Sequence, residues 1–305
     1  MQATLTRAYT AALVLVMLCA VLVVSDTVLS SHQPPPIQVE SGYPLEFPNP
    51  NTRDIPRGLS QGWIPLGRKQ ISVPILMYHY IRTVPRSAGQ LAFNLSVTPA
   101  DFNRQLNWLS EHGYHSVTFD DLRAYFSGAA KLPSKPFVIT LDDGYRDLFT
   151  TAYPLIKAHG FVAVAYIVTG FVGRLRYVTS DMILEMDRDG FEIASHTVDH
   201  ADMARIPLGS IVYELVASKQ WLEKLLGHTV ADFAYPSGKF NALDEYELGA
   251  TGYSTAVTED GSTLRLWATR YTWTRTRVGG GEAFTDFIKN LGPVEPFIFA
   301  PANVV

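Results

Sequence analysis

The run Pro136-Phe137-Val138-Ile139-Thr140-Leu141 constrains the fold more than any other segment. Its continuous apolar, β-branched character is that of a strand covered on both faces, so it belongs inside a parallel sheet. From residue 73 onward such runs alternate with helix-like segments. Strand candidates are 73 to 80, 115 to 119, 136 to 141, 162 to 168, 191 to 195, 232 to 235 and 253 to 257. Helix candidates are 99 to 112, with Phe102, Leu106 and Leu109 on one face, then 120 to 127 begun by Asp120, 146 to 159, 180 to 188 begun by Ser180, 207 to 226 and 242 to 249. The alternation predicts an α/β fold whose parallel sheet is connected by right-handed crossovers. Seven such strands suggest an incomplete barrel, with any chemistry at the C-terminal mouth.

Two strand ends carry chemistry. The central run stops in Asp142-Asp143-Gly144, which sets two acids at the mouth of a buried strand. Glu192-Ile193-Ala194-Ser195 is a second strand-like run, and its mouth delivers His196 and His200, spaced so that both imidazoles converge on one ion. Asp-Asp-Gly alone is a common turn, and two histidines alone are more often surface or core residues. Together, each closing a buried strand, they point to a metal site of two histidines and one aspartate with a carboxylate to spare. That set suits zinc, cobalt, nickel or iron and leaves positions open for water and substrate.

Thr140 to Tyr145 and Ser195 to His200 resemble the first and second motifs of the NodB-homology polysaccharide deacetylases, carbohydrate esterase family four. Val73 to Tyr80 resembles the opening strand of the subgroup that contains the poly-N-acetylglucosamine deacetylases of biofilm systems, and Phe233 to Gly238 resembles that subgroup's third motif. The likeness spans about residues 73 to 291. It implies an incomplete (β/α)7 barrel and hydrolysis of N-acetyl groups on a glycan. It also orders the two acids, which the residues alone do not: Asp143, with His196 and His200, is implied to hold the metal, zinc first, and Asp142 to be the base.

The proton donor is less directly marked. The family commonly draws it from a C-terminal Leu-x-His motif, yet no histidine follows His228. His79, at the end of the first barrel strand, is the expected replacement; the alternative is that it only bonds a neighbouring strand end. Ala234 stands where many family members place an arginine that orients the base, so Asp142 must be positioned by another group. Tyr235, Pro236, Ser237 and Tyr145 are expected to line the substrate or oxyanion site. The Ser237 N–H would face the oxyanion unless Pro236-Ser237-Gly238 is a plain tight turn. Trp267 and Trp273 offer either sugar-stacking faces or core packing, the latter favoured among five tryptophans. His112, His115, His159 and His228 read as structural or solvated.

Composition sets the outer bounds. The 305 residues are 47% hydrophobic, enough for one large domain and an appendage. A net charge of −4 supplies no basic field for nucleic acid, whereas a neutral or cationic glycan suits it. The single cysteine, Cys19, lies in the N-terminal apolar run, so neither disulfide nor thiol nucleophile is expected in the catalytic domain. Arg7 precedes the uncharged segment Ala8 to Val24 and Asp26 follows, which predicts an extracytoplasmic protein held by an uncleaved membrane anchor or delivered by a cleaved signal peptide. Leu18 before Cys19 argues against a lipoprotein signal. The expected organisation is a targeting segment over 1–29, a Pro-rich linker or wrapping arm over 30–72, and the deacetylase-like domain over 73–305. An O-acetyl esterase and a catalytically weak glycan-binding barrel are the competing functions, and oligomeric state is left open.

Overall fold

The computed structural model describes residues 70–259 and 261–292. Ala8 to Val24, Cys19 and nearly all of the Pro-rich arm lie outside the described residues. Among the described residues no helix is long and apolar enough to cross a membrane.

The predicted strands appear as β1 (Ile75–Tyr78), β2 (His115–Ser116), β3 (Pro136–Leu141), β4 (Val164–Ile167), β5 (Glu192–Ser195), β6 (Asp232–Ala234) and β7 (Thr255–Val257). The main sheet has one strand more than was read from the sequence, β8 (Thr276–Arg277), which pairs in parallel with β1 through Thr276 opposite Leu76. The order across the sheet is β7-β6-β5-β4-β3-β1-β8, all parallel, with β2 joined to the first two residues of β3. This is the curled parallel sheet of the expected half-barrel. A small antiparallel pair, Gln70–Ser72 against Leu264–Leu266, lies apart from it.

Besides a short helix at Gln90–Asn94, the α-helices among the described residues are α1 (Pro99–Glu111), α2 (Phe119–Ser127), α3 (Tyr153–Ala158), α4 (Ser180–Arg188), α5 (Leu208–Leu226), α6 (Ala242–Ala250) and α7 (Phe284–Asn290). The helix over Ser180–Arg188 has the expected bounds and α2 starts one residue early, and both are capped by a threonine just before the first helical residue. Thr118, not Asp120, caps α2, in a reciprocal box with Asp121; Thr179 caps α4 by accepting from the Met182 N–H. Threonine hydroxyls satisfy the free first-turn amides, which a residue already inside the helix does not. The segment expected as one helix over 146 to 159 is a π-turn at Leu148–Ala152 running into α3. Pro154 lacks the N–H an α-helix needs there, which explains the widened turn before it.

Alternation along β3 divides the core. Phe137, Ile139 and Leu141 face outward to Phe102, Leu106 and Leu109 of α1, while Val138 faces the barrel interior with Ile75, Tyr166, Ala194 and Trp273. Trp273 is 1% exposed and donates its indole N–H to the Leu266 carbonyl, 2.9 Å. It is therefore core, and Trp267 packs beside it. The interior register continues through Thr140 to Asp142, so the sheet aims one acid up the barrel axis.

Candidate metal centre

Asp142 and Asp143 would point to opposite faces if β3 continued, because successive strand residues alternate. The chain instead turns left-handed at Asp143, φ 70°, and at Gly144, φ 69°, which keeps both acids at the mouth. Across the barrel, β5 ends and its following loop turns left-handed at Thr197, φ 71°, and at His200, φ 63°. Four of the five non-glycine residues with positive φ among the described residues are Asp143, Thr197, His200 and Ser237. Backbone strain is thus gathered at the strand ends singled out by the sequence.

These turns bring Asp143, His196 and His200 together, with one ligand atom of each within 4.8 Å of the others. Asp143 Oδ1 lies 3.3 Å from His196 Nε2 and 3.4 Å from His200 Nε2. That oxygen is buried and has no hydrogen-bond partner, a costly state unless something else meets it. His196 Nδ1 bonds the Ala234 carbonyl at 2.7 Å, which fixes the tautomer and frees Nε2. Nitrogen and carboxylate donors on three sides of a gap fit a divalent transition ion. Burial pushes the Asp143 carboxyl up, but the adjacent imidazoles of His196 and His200 outweigh it and hold the group well below the usual range. His200 is raised above the ordinary imidazole value, burial being overcome by Asp143.

Asp142 is outside this trio. Arg275 grips it with two parallel bonds, Nη1 to Oδ1 at 2.6 Å and Nη2 to Oδ2 at 2.7 Å, and also donates to Thr140 Oγ1 at 3.0 Å. Both partners are buried. Burial raises the Asp142 carboxyl and the guanidinium more than offsets it, so the acid stays ionised. Arg275 is the positioning group that Ala234 left unaccounted for. The sequence reading missed it because it comes from the far end of the chain. Its only local signal is the alternation Trp273-Thr274-Arg275-Thr276-Arg277 beside a core tryptophan.

The loop between the histidines is held from two sides. Glu214 of α5, itself 4% exposed, accepts from the Val198 N–H at 2.7 Å and from the Asp199 N–H at 3.4 Å. Thr169 and Gly170, just past β4, donate to the Thr197 and Val198 carbonyls at 3.1 and 2.7 Å. Thr197 Oγ1 accepts from the His200 N–H at 2.9 Å, closing the loop on itself.

His79 sits where the predicted first strand breaks, between β1 and a short strand at Tyr80–Ile81. Burial lowers its imidazole below the ordinary value, against opposing charge from Asp142 and Asp143. It therefore lies in the field of both acids. Tyr145 also stands at the site: Asp143 is among the groups that raise its phenol, after burial. Ser237 is exposed and left-handed at φ 55° on the turn after β6. Pro236 is buried beneath that turn. Tyr235 corrects the expectation of a substrate-lining side chain: it is fully buried, stacked on Phe240 at 4.8 Å and set edge-on to Phe233. An aromatic ring at that register faces the helices, not the mouth. His112, His115, His159 and His228 bond neighbouring carbonyls or the side chains of Asn103 and Asp187, away from the trio.

Residues 129–256 match the family model for polysaccharide deacetylase. YxkH of Bacillus subtilis, named for the same family, is 28% identical over 235 residues, covering 76% of this chain and 81% of its own. A poly-β-1,6-N-acetyl-D-glucosamine N-deacetylase of Staphylococcus aureus is 27% identical over 195 residues, 57% of this chain and 67% of its own. Among solved structures, the Streptococcus pyogenes deacetylase PplD, in complex with acetate, superposes with a TM-score of 0.68 at 26% identity over 74% of this chain and all of that one. The chain carries a polysaccharide deacetylase domain of the NodB-homology class.

Proposed function

We propose that this protein is a metal-dependent N-deacetylase that removes acetyl groups from N-acetylhexosamine units of an extracytoplasmic glycan, an exopolysaccharide before peptidoglycan or chitin. The observation that carries this reading is the free carboxylate of Asp142, ionised and clamped by Arg275, beside an aspartate and two histidines left with an unmet oxygen. Binding alone requires no such base. The relative named for poly-β-1,6-N-acetyl-D-glucosamine supports the choice of glycan. The uncharged N-terminal run behind Arg7 supports an extracytoplasmic site of action, with Ala8 to Val24 as the anchor.

Asp143, His196 and His200 would hold the ion, zinc being favoured over cobalt, nickel or iron. A divalent ion there supplies Lewis acidity, polarising the acetyl carbonyl and acidifying water. Asp142 takes the proton of the attacking water. Arg275 keeps the carboxylate ionised and fixes its two oxygens, so basicity is moderate but always available. The Ser237 N–H faces the carbonyl oxygen as negative charge grows on it. His79 gives a proton to the departing nitrogen, and its lowered pKa makes the protonated ring a strong donor.

The test is acetate release by the purified chain, supplied with zinc, cobalt or nickel, from defined N-acetylated and O-acetylated glycans. Release from N-acetylated oligomers is expected. Release from O-acetyl esters alone would make the protein an esterase, and release from neither, with the glycans still bound, would make it a binding barrel.

A further inference from the structure

One flank of the metal centre is a continuous aromatic wall bounded by arginines. Tyr80 stacks on Tyr145 with centroids 3.6 Å apart and planes at 17°. Tyr145 meets Tyr177 at 5.3 Å, and Tyr177 meets Phe171 at 4.9 Å. The wall is built into the backbone: Tyr145 and Tyr177 form an antiparallel bridge, with Arg146 N–H to Arg176 carbonyl at 2.8 Å and Val178 N–H to Gly144 carbonyl at 2.9 Å. The loop that carries Asp143 and the loop that carries Tyr177 are therefore one unit. Tyr80, Tyr145 and Tyr177 all lie in the field of Asp143.

Each end of the wall is closed by a guanidinium laid on a ring, Arg82 over Tyr80 at 3.4 Å and Arg174 over Phe171 at 4.5 Å. Arg174 and Arg176 are exposed. Neither they nor Arg82 nor Arg146 makes an ion pair with a carboxylate among the described residues, unlike Arg104, Arg123, Arg275 and Arg277. Arg146 Nε is buried with no hydrogen-bond partner. The nearby acid, Asp147, is turned inward to accept from the Ile81 N–H at 2.8 Å. A chain with a net charge of −4 repels anions at long range, so an unpaired arginine set beside its centre is a local reversal of sign. Arg82 Nε donates to Ser96 Oγ at 3.1 Å; its other donors, and those of Arg174 over the Phe171 ring, are of the planar kind that suits oxyanions.

We propose that the glycan deacetylated here carries an anionic group, carboxylate or phosphate, next to the acetylated sugar, and that Arg82, Arg174 and Arg176 bind that group against the Tyr80 to Phe171 wall. This rests on the deacetylase reading and narrows its substrate to a glycan that carries acidic groups. The arginines are specificity determinants remote from the bond that breaks.

The test uses the full chain loaded with zinc and three N-acetylated oligosaccharides of equal length. One is neutral β-1,6-linked N-acetylglucosamine, one alternates with carboxylate-bearing N-acetylmuramic acid, and one is joined through phosphodiesters. At least one acidic oligomer is expected to exceed the neutral one in kcat/KM by about tenfold, an advantage that shrinks as salt is raised. Arg174→Gln with Arg176→Gln should cut the ratio of acidic to neutral kcat/KM by about the same factor. Which acidic arm leads identifies the group. Equal or better turnover of the neutral oligomer, or a ratio untouched by the double variant, overturns the inference and leaves the deacetylase reading standing. Absence of acetate from all three defeats that reading instead. Calorimetric binding of the same oligomers then still decides the charge preference, since the variant should weaken the acidic ligand selectively.

Discussion

At the N-terminal ends of β5 and β6, a largely buried Glu192 and a fully buried Asp232 lie beside each other, yet donors surround them. Arg123 reaches both, the Thr255 hydroxyl bonds Asp232, and the Phe119 N–H at the start of α2 donates to Glu192 at 2.7 Å. At the C-terminal ends of β3 and β5, Asp143 keeps a buried oxygen with no donor, and the backbone around it is left-handed. Both clusters perturb their acids: Glu192 is pushed well above its usual value by burial and by Asp232, Asp143 is held well below. Perturbed ionisation alone therefore does not mark a site. What separates the two ends is satisfaction, complete at the bottom and withheld at the mouth.

Substitutions should fall into two classes accordingly. The largest expected effect is at the mouth: His196→Ala with His200→Ala abolishes stoichiometric zinc by elemental analysis, and Asp142→Asn keeps the metal while losing at least about a hundredfold in kcat. Asp142→Asn also leaves the Arg275 guanidinium buried without its counter-charge and should lower Tm, so its kcat is compared at a temperature where the variant is fully folded. His79→Ala should slow amide hydrolysis by about a hundredfold while sparing an activated aryl acetate, whose leaving group needs no proton. Equal losses on the two substrates would move His79 from proton donation to binding.

At the bottom, Arg123→Met should do the opposite. It leaves buried carboxylates without their cation and should cost about 3 kcal/mol in denaturant unfolding, the low end for a broken buried pair because Arg123 is partly exposed. Its kcat should stay at the wild-type level. Reduced turnover with unchanged stability would erase the contrast between the two ends.

Arg275 tests the boundary, since it belongs to the mouth but is paired like the bottom. With Arg275→Met, the main opposition to burial at Asp142 is gone, its carboxyl rises, and the acid limb of the kcat/KM profile moves to higher pH. A limb that stays in place would show that Asp142 does not set it. The smallest effect concerns Glu214, which burial raises to about 7. Between the ordinary carboxyl value of 4.5 and 7 the folded protein keeps a proton that the unfolded chain has released, so stability falls as pH rises through that window. Glu214→Gln should flatten this slope in Tm measured from about pH 4.5 to 7. An unchanged slope would place the titration elsewhere.

The elements of the barrel were legible because burial on both faces of a parallel strand leaves an apolar run, and β3 shows it plainly. The trio was legible because strand ends deliver side chains within a few residues, as at Asp143, His196 and His200. Arg275 was not, since it meets Asp142 across 133 residues and only closure of the sheet by β8 brings them together. Tyr235 misled for the converse reason: a motif fixes which residues are present, while the register of β6 decides which face each side chain takes. The break of the first strand at His79 likewise depends on pairing between Tyr80–Ile81 and Ser96–Val97, a two-residue match with no pattern of its own.

Gly170 carries a constraint of a different kind. Its backbone lies so near the loop between the histidines that a methyl group there would meet the Val198 carbonyl oxygen at 2.5 Å. That neighbour is backbone, so it yields only by moving the segment that ends in His200. The smallest enlargement at a residue outside the trio, a single methyl group, would therefore be read out at the ligand His200. Catalytic competence is inherited partly as empty space.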